Sequence, residues 1–221
     1  MHFRHEWKHE ISPGDLYALR ARLSAVLDTD SHAVNGRYSV HSLYFDTSSD
    51  RALYEKINGF SHREKFRLRY YNHTPSPILL EKKLKQNNLC GKLQAPLSIE
   101  EAQALLNGTL SSAPDNPLLD ELLRKRAWEG LCPKTAVLYT REAFLLAPGN
   151  VRVTLDYGLR TASSWREFLE PNSLSFPVPE APAILEVKWD EFLPSLIRDL
   201  VQTPGTRTSA FSKYAACHIY R

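Results

Sequence analysis

Glutamate and lysine recur two residues apart in three separate segments, Glu6-Trp7-Lys8, Glu81-Lys82-Lys83 and Glu186-Val187-Lys188, and a fourth segment reads Lys65-Phe66-Arg67-Leu68-Arg69. Side chains of an extended chain point alternately to opposite faces, so residues i and i+2 share a face. Each segment therefore reads as a strand with one charged and one apolar side. Arg4, Glu6 and Lys8 oppose Phe3 and Trp7, and Lys65, Arg67 and Arg69 alternate with Phe66, Leu68 and Tyr70. Glu81, Lys83 and Lys85 oppose Ile78, Leu80 and Leu84, while Glu186 and Lys188 oppose Leu185, Val187 and Trp189. Tyr139 and Arg141 share a face, and Arg152, Thr154 and Asp156 oppose Val151, Val153 and Leu155.

One such strand means only that a sheet has a wet side. Repeated across at least six strands, the pattern asks for more, because like charges facing each other across strands destabilise a sheet. It predicts that the basic faces converge on one lumen, where a polyanion relieves the repulsion.

Period-two segments run over Phe3–Ile11, Tyr38–Asp46, His62–Asn72, Ile78–Gln86, Lys92–Pro96, Thr135–Leu146, Arg152–Arg160 and Ala183–Trp189. Helical spacing is confined to four places. Ser12-Pro13-Gly14-Asp15 opens the first, with Leu16, Leu19, Leu23 and Val26 or Leu27 as its stripe. A capping box at Ser98–Glu101 opens the second, which ends at Asn107-Gly108. The third spans about Asn116 to Trp128 through Leu118, Leu119, Leu122 and Leu123, and the fourth starts near Pro194 with Leu196, Ile197, Leu200 and Val201. There is no βαβ rhythm and no propeller-like repeat. The expectation is an α+β chain: a single domain over residues 1–221, built as an eight-stranded antiparallel β tunnel with helices covering its outside.

The net charge of +3 is too small to argue for nucleic acid, so anion specificity must come from arrangement. Cys90, Cys132 and Cys217 match no zinc spacing and read as small buried or half-buried apolar residues in a reducing, cytoplasmic setting. No apolar run approaches the length of a membrane span, so contact with a membrane would pass through a membrane-protein partner. The proline-rich patches Thr74–Pro77, Ser112–Pro117 and Pro171–Pro182 read as loops.

Phosphate chains suit a basic lumen. Arginine offers phosphoryl oxygens a bidentate fork and lysine a compact charge. The glutamates suit a hard divalent cation, Mg²⁺ or Mn²⁺, that bridges carboxylate and phosphate oxygens. Neither a Walker-type glycine loop nor a catalytic-triad spacing competes with this reading.

Eight segments in order, Arg4–Lys8, Ser42–Thr47, Lys65–Tyr71, Leu80–Lys83, Tyr139–Arg141, Val151–Asp156, Leu185–Lys188 and Ser212–Tyr214, resemble the VTC domain, the polyphosphate polymerase branch of the triphosphate tunnel metalloenzymes (the CYTH-like superfamily). The resemblance spans nearly the whole chain. It implies a tunnel in which the γ-phosphate of ATP is transferred to a growing polyphosphate chain. Carried over residue by residue, it implies that Arg67, Arg69, Arg141, Arg152 and Lys188 are catalytic. By the same route Lys8, Lys83, Lys92 and Lys213 grip phosphates, Tyr139 and Ser212 hydrogen-bond them, and Glu186 is the principal metal ligand. Glu6 and Glu81 are either further metal ligands or neutralising partners for nearby cations. The hydrolytic relatives open with Glu-x-Glu-x-Lys, where this chain has Arg4 in first place, which disfavours a triphosphatase. A hydrolase on the same scaffold and a non-catalytic polyphosphate or inositol-phosphate module are the alternatives.

Other residues read as structural. Asp46 is expected to cap the turn after it, His2, His5 and His9 to lie on the surface, and Trp128, Trp165 and Trp189 to pack in the core or tunnel wall.

Overall fold

The structure, a computed structural model, describes residues 2–87, 89–170, 173–204 and 207–220. Eight long strands follow the period-two segments: β1 (Phe3–Ile11), β2 (Tyr38–Asp46), β3 (His62–Tyr71), β4 (Ile78–Gln86), β5 (Leu89–Leu97), β6 (Cys132–Leu146), β7 (Val151–Ala162) and β8 (Ala183–Trp189). Their antiparallel order β6-β2-β3-β4-β5-β1-β8-β7 closes on itself through the β6–β7 pairing, so among the described residues each long strand is paired on both sides. The seam between β5 and β1 is the shortest. Among the described residues it holds two pairings, Phe3 with Gly91 and Arg4 with Cys90.

Closure needs strands that bend. β6 pairs with both β2 and β7 and is irregular against each, the β7 register slipping between Leu138 and Thr140. Gly158 sits opposite that slip at φ +64°, a left-handed conformation that glycine adopts at little cost in such a bulge.

Among the described residues six α-helices accompany the ring: α1 (Pro13–Val26), α2 (Arg51–Ile57), α3 (Ile99–Asn107), α4 (Pro117–Glu129), α5 (Ser195–Leu200) and α6 (Lys213–His218). Ser12 with Asp15 and Ser98 with Glu101 form the two capping boxes, and Asn116 caps α4. Leu16, Leu19 and Leu23 of α1 and Ile197 of α5 cover the outer faces of β1, β7 and β8, against Val153, Leu155, Leu185 and Val187. On the other side, α3 and α4 bury Leu105, Leu119 and Leu122 against Leu43, Phe66, Leu68 and Leu80. Each fully buried leucine contributes roughly 1.5–3 kcal/mol.

Three features differ from the sequence expectation. Trp128 is 89% exposed: it falls off the α4 stripe Leu118, Leu119, Leu122 and Leu123, so its ring faces water rather than core. Trp189 is buried, and Trp165 packs at the edge of the outer core. The proline-rich stretch after β7 holds a short strand, Ser175–Pro177, paired with Arg160–Ala162, while residues 171 and 172 of that stretch lie outside the described residues. The third difference is the pair of unforeseen helices α2 and α6. Asp46 explains the first, because its carboxylate accepts from the N–H groups of Thr47, Ala52 and Leu53 and so caps the start of α2. The capping role expected of Asp46 is thus present. No helix among the described residues is long and apolar enough to cross a membrane.

Leu19→Ala is expected to lower unfolding free energy by about 2–5 kcal/mol through the cavity it leaves. Trp128→Ala is expected to stay within about 0.5 kcal/mol of the parent protein. Urea unfolding with matched slopes checks both, and equal effects would contradict this division between core and surface.

Candidate functional site

Cross-strand partners share a face, so the register decides which side chains meet. Glu6 pairs with Lys188 and Lys8 with Glu186 between β1 and β8; Lys188 and Glu186 pair in turn with Arg152 and Thr154 on β7. Asp156 pairs with Arg141, and Arg141 with Tyr38. Tyr44 pairs with Arg67, Ser42 with Arg69, Arg67 with Glu81 and Lys83 with Lys92. The apolar partners of these residues pack under the outer helices. The charged faces therefore line one bore.

Three groupings occupy it. In the first, Lys188 Nζ lies 2.7 Å from Glu186 and 3.5 Å from Glu6, and Lys8 Nζ lies 3.3 Å from Glu6 and 3.8 Å from Glu186. Burial works against ionised Glu186, but Lys188, Lys8, Lys83 and Arg141 outweigh it and hold the carboxyl well below its usual range. In the second, Glu81 is fully buried between Arg67 (2.5 Å), Lys92 (3.1 Å) and Arg69 (3.9 Å). Arg69 also donates to Ser42 Oγ and Tyr139 OH. In the third, Arg141 grips Asp156 through two hydrogen bonds of 2.6 and 2.7 Å, and Lys213 reaches the same carboxylate at 2.7 Å.

Helix α6 enters the bore. Lys213 lies over the Tyr139 ring, Tyr214 packs on Tyr44 beneath Lys65, and His218 approaches Thr135. The Tyr214 hydroxyl donates to Asp46 at 2.8 Å, so one carboxylate ties α2, α6 and the end of β2 together. Around α6 the bore is apolar, with Val40, Val137, Tyr139, Leu159, Val178 and Cys217 in contact. The lumen is thus basic over part of its length and closed by packing over the rest. Cys217 is buried, and Cys90 and Cys132 are half-buried.

The most exposed imbalance is a row of lysines. Lys65, Lys83 and Lys92 face one another across β3, β4 and β5. Lys92 has Glu81, but neither Lys65 nor Lys83 forms an ion pair among the described residues. Burial lowers both amines, Lys83 further under Lys188 and Arg67, each to about 8. Burial also works to raise the Tyr44 phenol, yet Arg67, Lys83 and Arg69 pull it down to about 7.

Residues 3–219 match the VTC domain. The chain belongs to the VTC domain family. Solved structures that share its fold include a candidate adenylate cyclase from Bacillus halodurans, at 15% identity over 85% of this chain and 82% of that one, with a TM-score of 0.52. The PH1819 protein of Pyrococcus horikoshii OT3 is similar at 12% identity over 99% of each chain, with a TM-score of 0.52. HpAC1 of Hippeastrum, a candidate adenylyl cyclase described as having a dominant triphosphatase activity, is similar at 13% identity, covering 100% of this chain and 97% of that one, with a TM-score of 0.52. At these identities the likeness speaks for the fold alone. No curated protein matches the chain in sequence.

In this VTC domain most of the expected site residues converge. Lys8, Arg67, Arg69, Lys83, Lys92, Tyr139, Arg141, Glu6, Glu81, Glu186 and Lys188 share the bore by register. Arg152 stands apart from the central groupings, its Nη2 held 2.7 Å from both Asp30 and the Tyr38 hydroxyl. Ser212 accepts from the Ala215 N–H and so caps α6. Sequence reasoning passed over Tyr44, Lys65, Thr154 and Asp156 as site residues. Their only signal was the same period-two frame, which does not rank members of a face.

For a divalent cation, Glu6 and Glu186 fit and Glu81 does not join them. The first two share both their lysines, whereas Glu81 is enclosed by its own arginines and Lys92. No cluster of three or more metal-ligating side chains occurs among the described residues. A cation at Glu6 and Glu186 would therefore complete its shell with phosphate oxygens and water, as magnesium commonly does.

Lys83 gives a pH signature. Folded, it loses its proton near 8; unfolded, it keeps it to the ordinary 10.5. Between those values the unfolded chain binds the extra proton, so stability rises with pH there, and below 8 the penalty is whole. Lys83→Met, without ligand, is expected to unfold later than the parent at pH 7, with the gap narrowing as pH climbs through this window. A gap independent of pH would contradict the assignment.

Proposed function

We propose that this chain is a metal-dependent polyphosphate polymerase that transfers the γ-phosphate of ATP to a growing polyphosphate chain inside its basic bore. The observation that carries this reading is the row Lys65–Lys83–Lys92 along the bore face, running from half-buried Lys65 and Lys83 to exposed Lys92, in which Lys65 and Lys83 form no ion pair among the described residues. An arrangement that repels itself when empty is relieved by an anion with many oxygens in series.

The chemistry asks for positioning more than for a protein nucleophile. A terminal phosphate oxygen of the acceptor attacks the γ-phosphorus in line, the bond to the β,γ-bridging oxygen breaks, and ADP leaves. Arg67 and Arg69 are held by Glu81, Ser42 and the hydroxyls of Tyr44 and Tyr139, which fixes their forks before phosphate arrives. Arg141 is fixed in the same way by Asp156. Preorganised donors of this kind stabilise developing charge without reorganising. Lys8 and Lys188 sit between Glu6 and Glu186, so their ammonium groups are placed for an incoming phosphate, and the two carboxylates would hold a divalent cation. When bound, Mg²⁺ or Mn²⁺ supplies charge neutralisation between phosphoryl oxygens. ATP and polyphosphate are the partners of this reading, in the cytoplasm; any contact with a membrane would pass through a membrane-protein partner.

A triphosphatase is the second reading, favoured by the fold shared with HpAC1, for which that activity is described. The polymerase is preferred because Arg4 occupies the first position of the N-terminal motif, so that position carries a guanidinium, paired with Asp190 at 2.7 Å, where the hydrolytic relatives carry a glutamate.

With ATP and Mn²⁺, the protein is expected to build long polymer rather than release free phosphate. Arg152→Ala and Lys188→Ala are each expected to lower turnover about 10²-fold or more, the cost of one preorganised donor, ~3 kcal/mol. Separation of polymer from orthophosphate by gel and phosphate assay checks this. Full polymer synthesis by Arg152→Ala, or orthophosphate as the sole product of the parent, would overturn it.

A further inference from the structure

Two donors on the bore face of β7 have nothing to bond to. Thr154 Oγ1 and Arg152 Nε are both buried without a hydrogen-bond partner among the described residues. They stand two residues apart and therefore on one face. Thr154 is 3% exposed. Its cross-strand neighbours are Glu186 on β8 and Ala143 on β6. Glu186 spends its oxygens on Lys188 and Lys8, and the Ala143 methyl has no polar atom to offer.

Arg152 is anchored at its far end, where Nη2 meets Asp30 and Tyr38. Its Nε–H is thereby held beside the strand. Buried polar groups in folded proteins are almost always paired, so an adjacent unpaired couple calls for a specific explanation. The chemistry narrows the partner. An arginine Nε can only donate, so what is missing is an acceptor rather than a cation. A threonine hydroxyl can donate to the same acceptor. Lys188, directly across from Arg152, adds positive charge beside it. An anionic oxygen meets all three requirements.

We infer that Thr154 is a further phosphate-contacting residue, its hydroxyl and the Arg152 Nε–H together holding a phosphoryl oxygen beside Lys188. The inference rests on the reading of the bore as a phosphate-chain site and adds a hydroxyl to what was otherwise a set of charges. A neutral donor at a fixed place discriminates by position where lysines discriminate by charge alone. The hydroxyl therefore defines where along the bore one phosphoryl group stops.

Inorganic tripolyphosphate is the probe. Its binding to the parent protein, Thr154→Val and Thr154→Ser is measured by calorimetry, and ligand-free melting is recorded for all three. Valine keeps the shape of threonine and removes the hydroxyl; serine keeps the hydroxyl. Thr154→Val is expected to bind about tenfold more weakly, the cost of one hydrogen bond to a charged acceptor, and Thr154→Ser to bind within about twofold of the parent. Without ligand, Thr154→Val is expected to melt at the same temperature or higher, because it removes a buried unpaired group. A hydroxyl serving only the fold would give the reverse, lower ligand-free melting with unchanged binding, and that result overturns the inference. So does parent-like affinity in Thr154→Val, which leaves the bore reading intact. If the folded parent protein does not bind tripolyphosphate at all, both readings fall together.

Discussion

Repulsion among cations that share the bore face organises this protein. Lys65, Lys83 and Lys92 face each other across three adjacent strands, a placement that sheets exposed to water avoid. The ring tolerates it because buried carboxylates are spread around the rest of the bore: Glu81 among the arginines, Glu6 and Glu186 between Lys8 and Lys188, and Asp156 between Arg141 and Lys213. Neutralisation is therefore local and incomplete. Where carboxylates are present the cations are fixed in place, and where they are missing the bore stays short of negative charge. Both conditions favour a polyanion, the first by preorganising donors and the second by leaving charge to be satisfied.

The outer helices make that interior affordable. Two separate hydrophobic clusters, one under α1 and α5 and one under α3 and α4, hold the ring from opposite sides. The bore itself adds a third cluster only where α6 enters. A buried salt bridge is a weak source of stability, since desolvation consumes much of the attraction. The fold is accordingly held from outside, which leaves the inner face free to be chosen for chemistry.

Asp46 links these layers. It ends β2, accepts from the Thr47 N–H of the turn and from the Ala52 and Leu53 N–H groups that open α2, and accepts the Tyr214 hydroxyl of α6. Tyr214 in turn packs on Tyr44, whose hydroxyl accepts from Arg67. A continuous chain of contacts thus runs from a helix cap on the outside to the bore-facing Arg67 within.

Much of this was legible in the residues themselves. Period-two alternation in Phe3–Ile11, Tyr38–Asp46, Ile78–Gln86 and Ala183–Trp189 matches the strands end to end, because a strand with one apolar and one charged face declares its period directly. Capping residues marked the starts of α1, α3 and α4 for the same local reason. Helix α6 was hidden, since six residues that follow a serine and end on a histidine are too few to show a stripe, and Trp128 was misjudged because its apolar ring was weighed over its position off the leucine stripe of α4. What only the tertiary structure decided is proximity. That Lys65 meets Lys83, that Glu81 serves arginines rather than Glu6, and that Arg152 turns to Asp30 all depend on register between strands distant in the chain. Local sequence sets the face a side chain points to; ring closure alone sets which side chains it finds there.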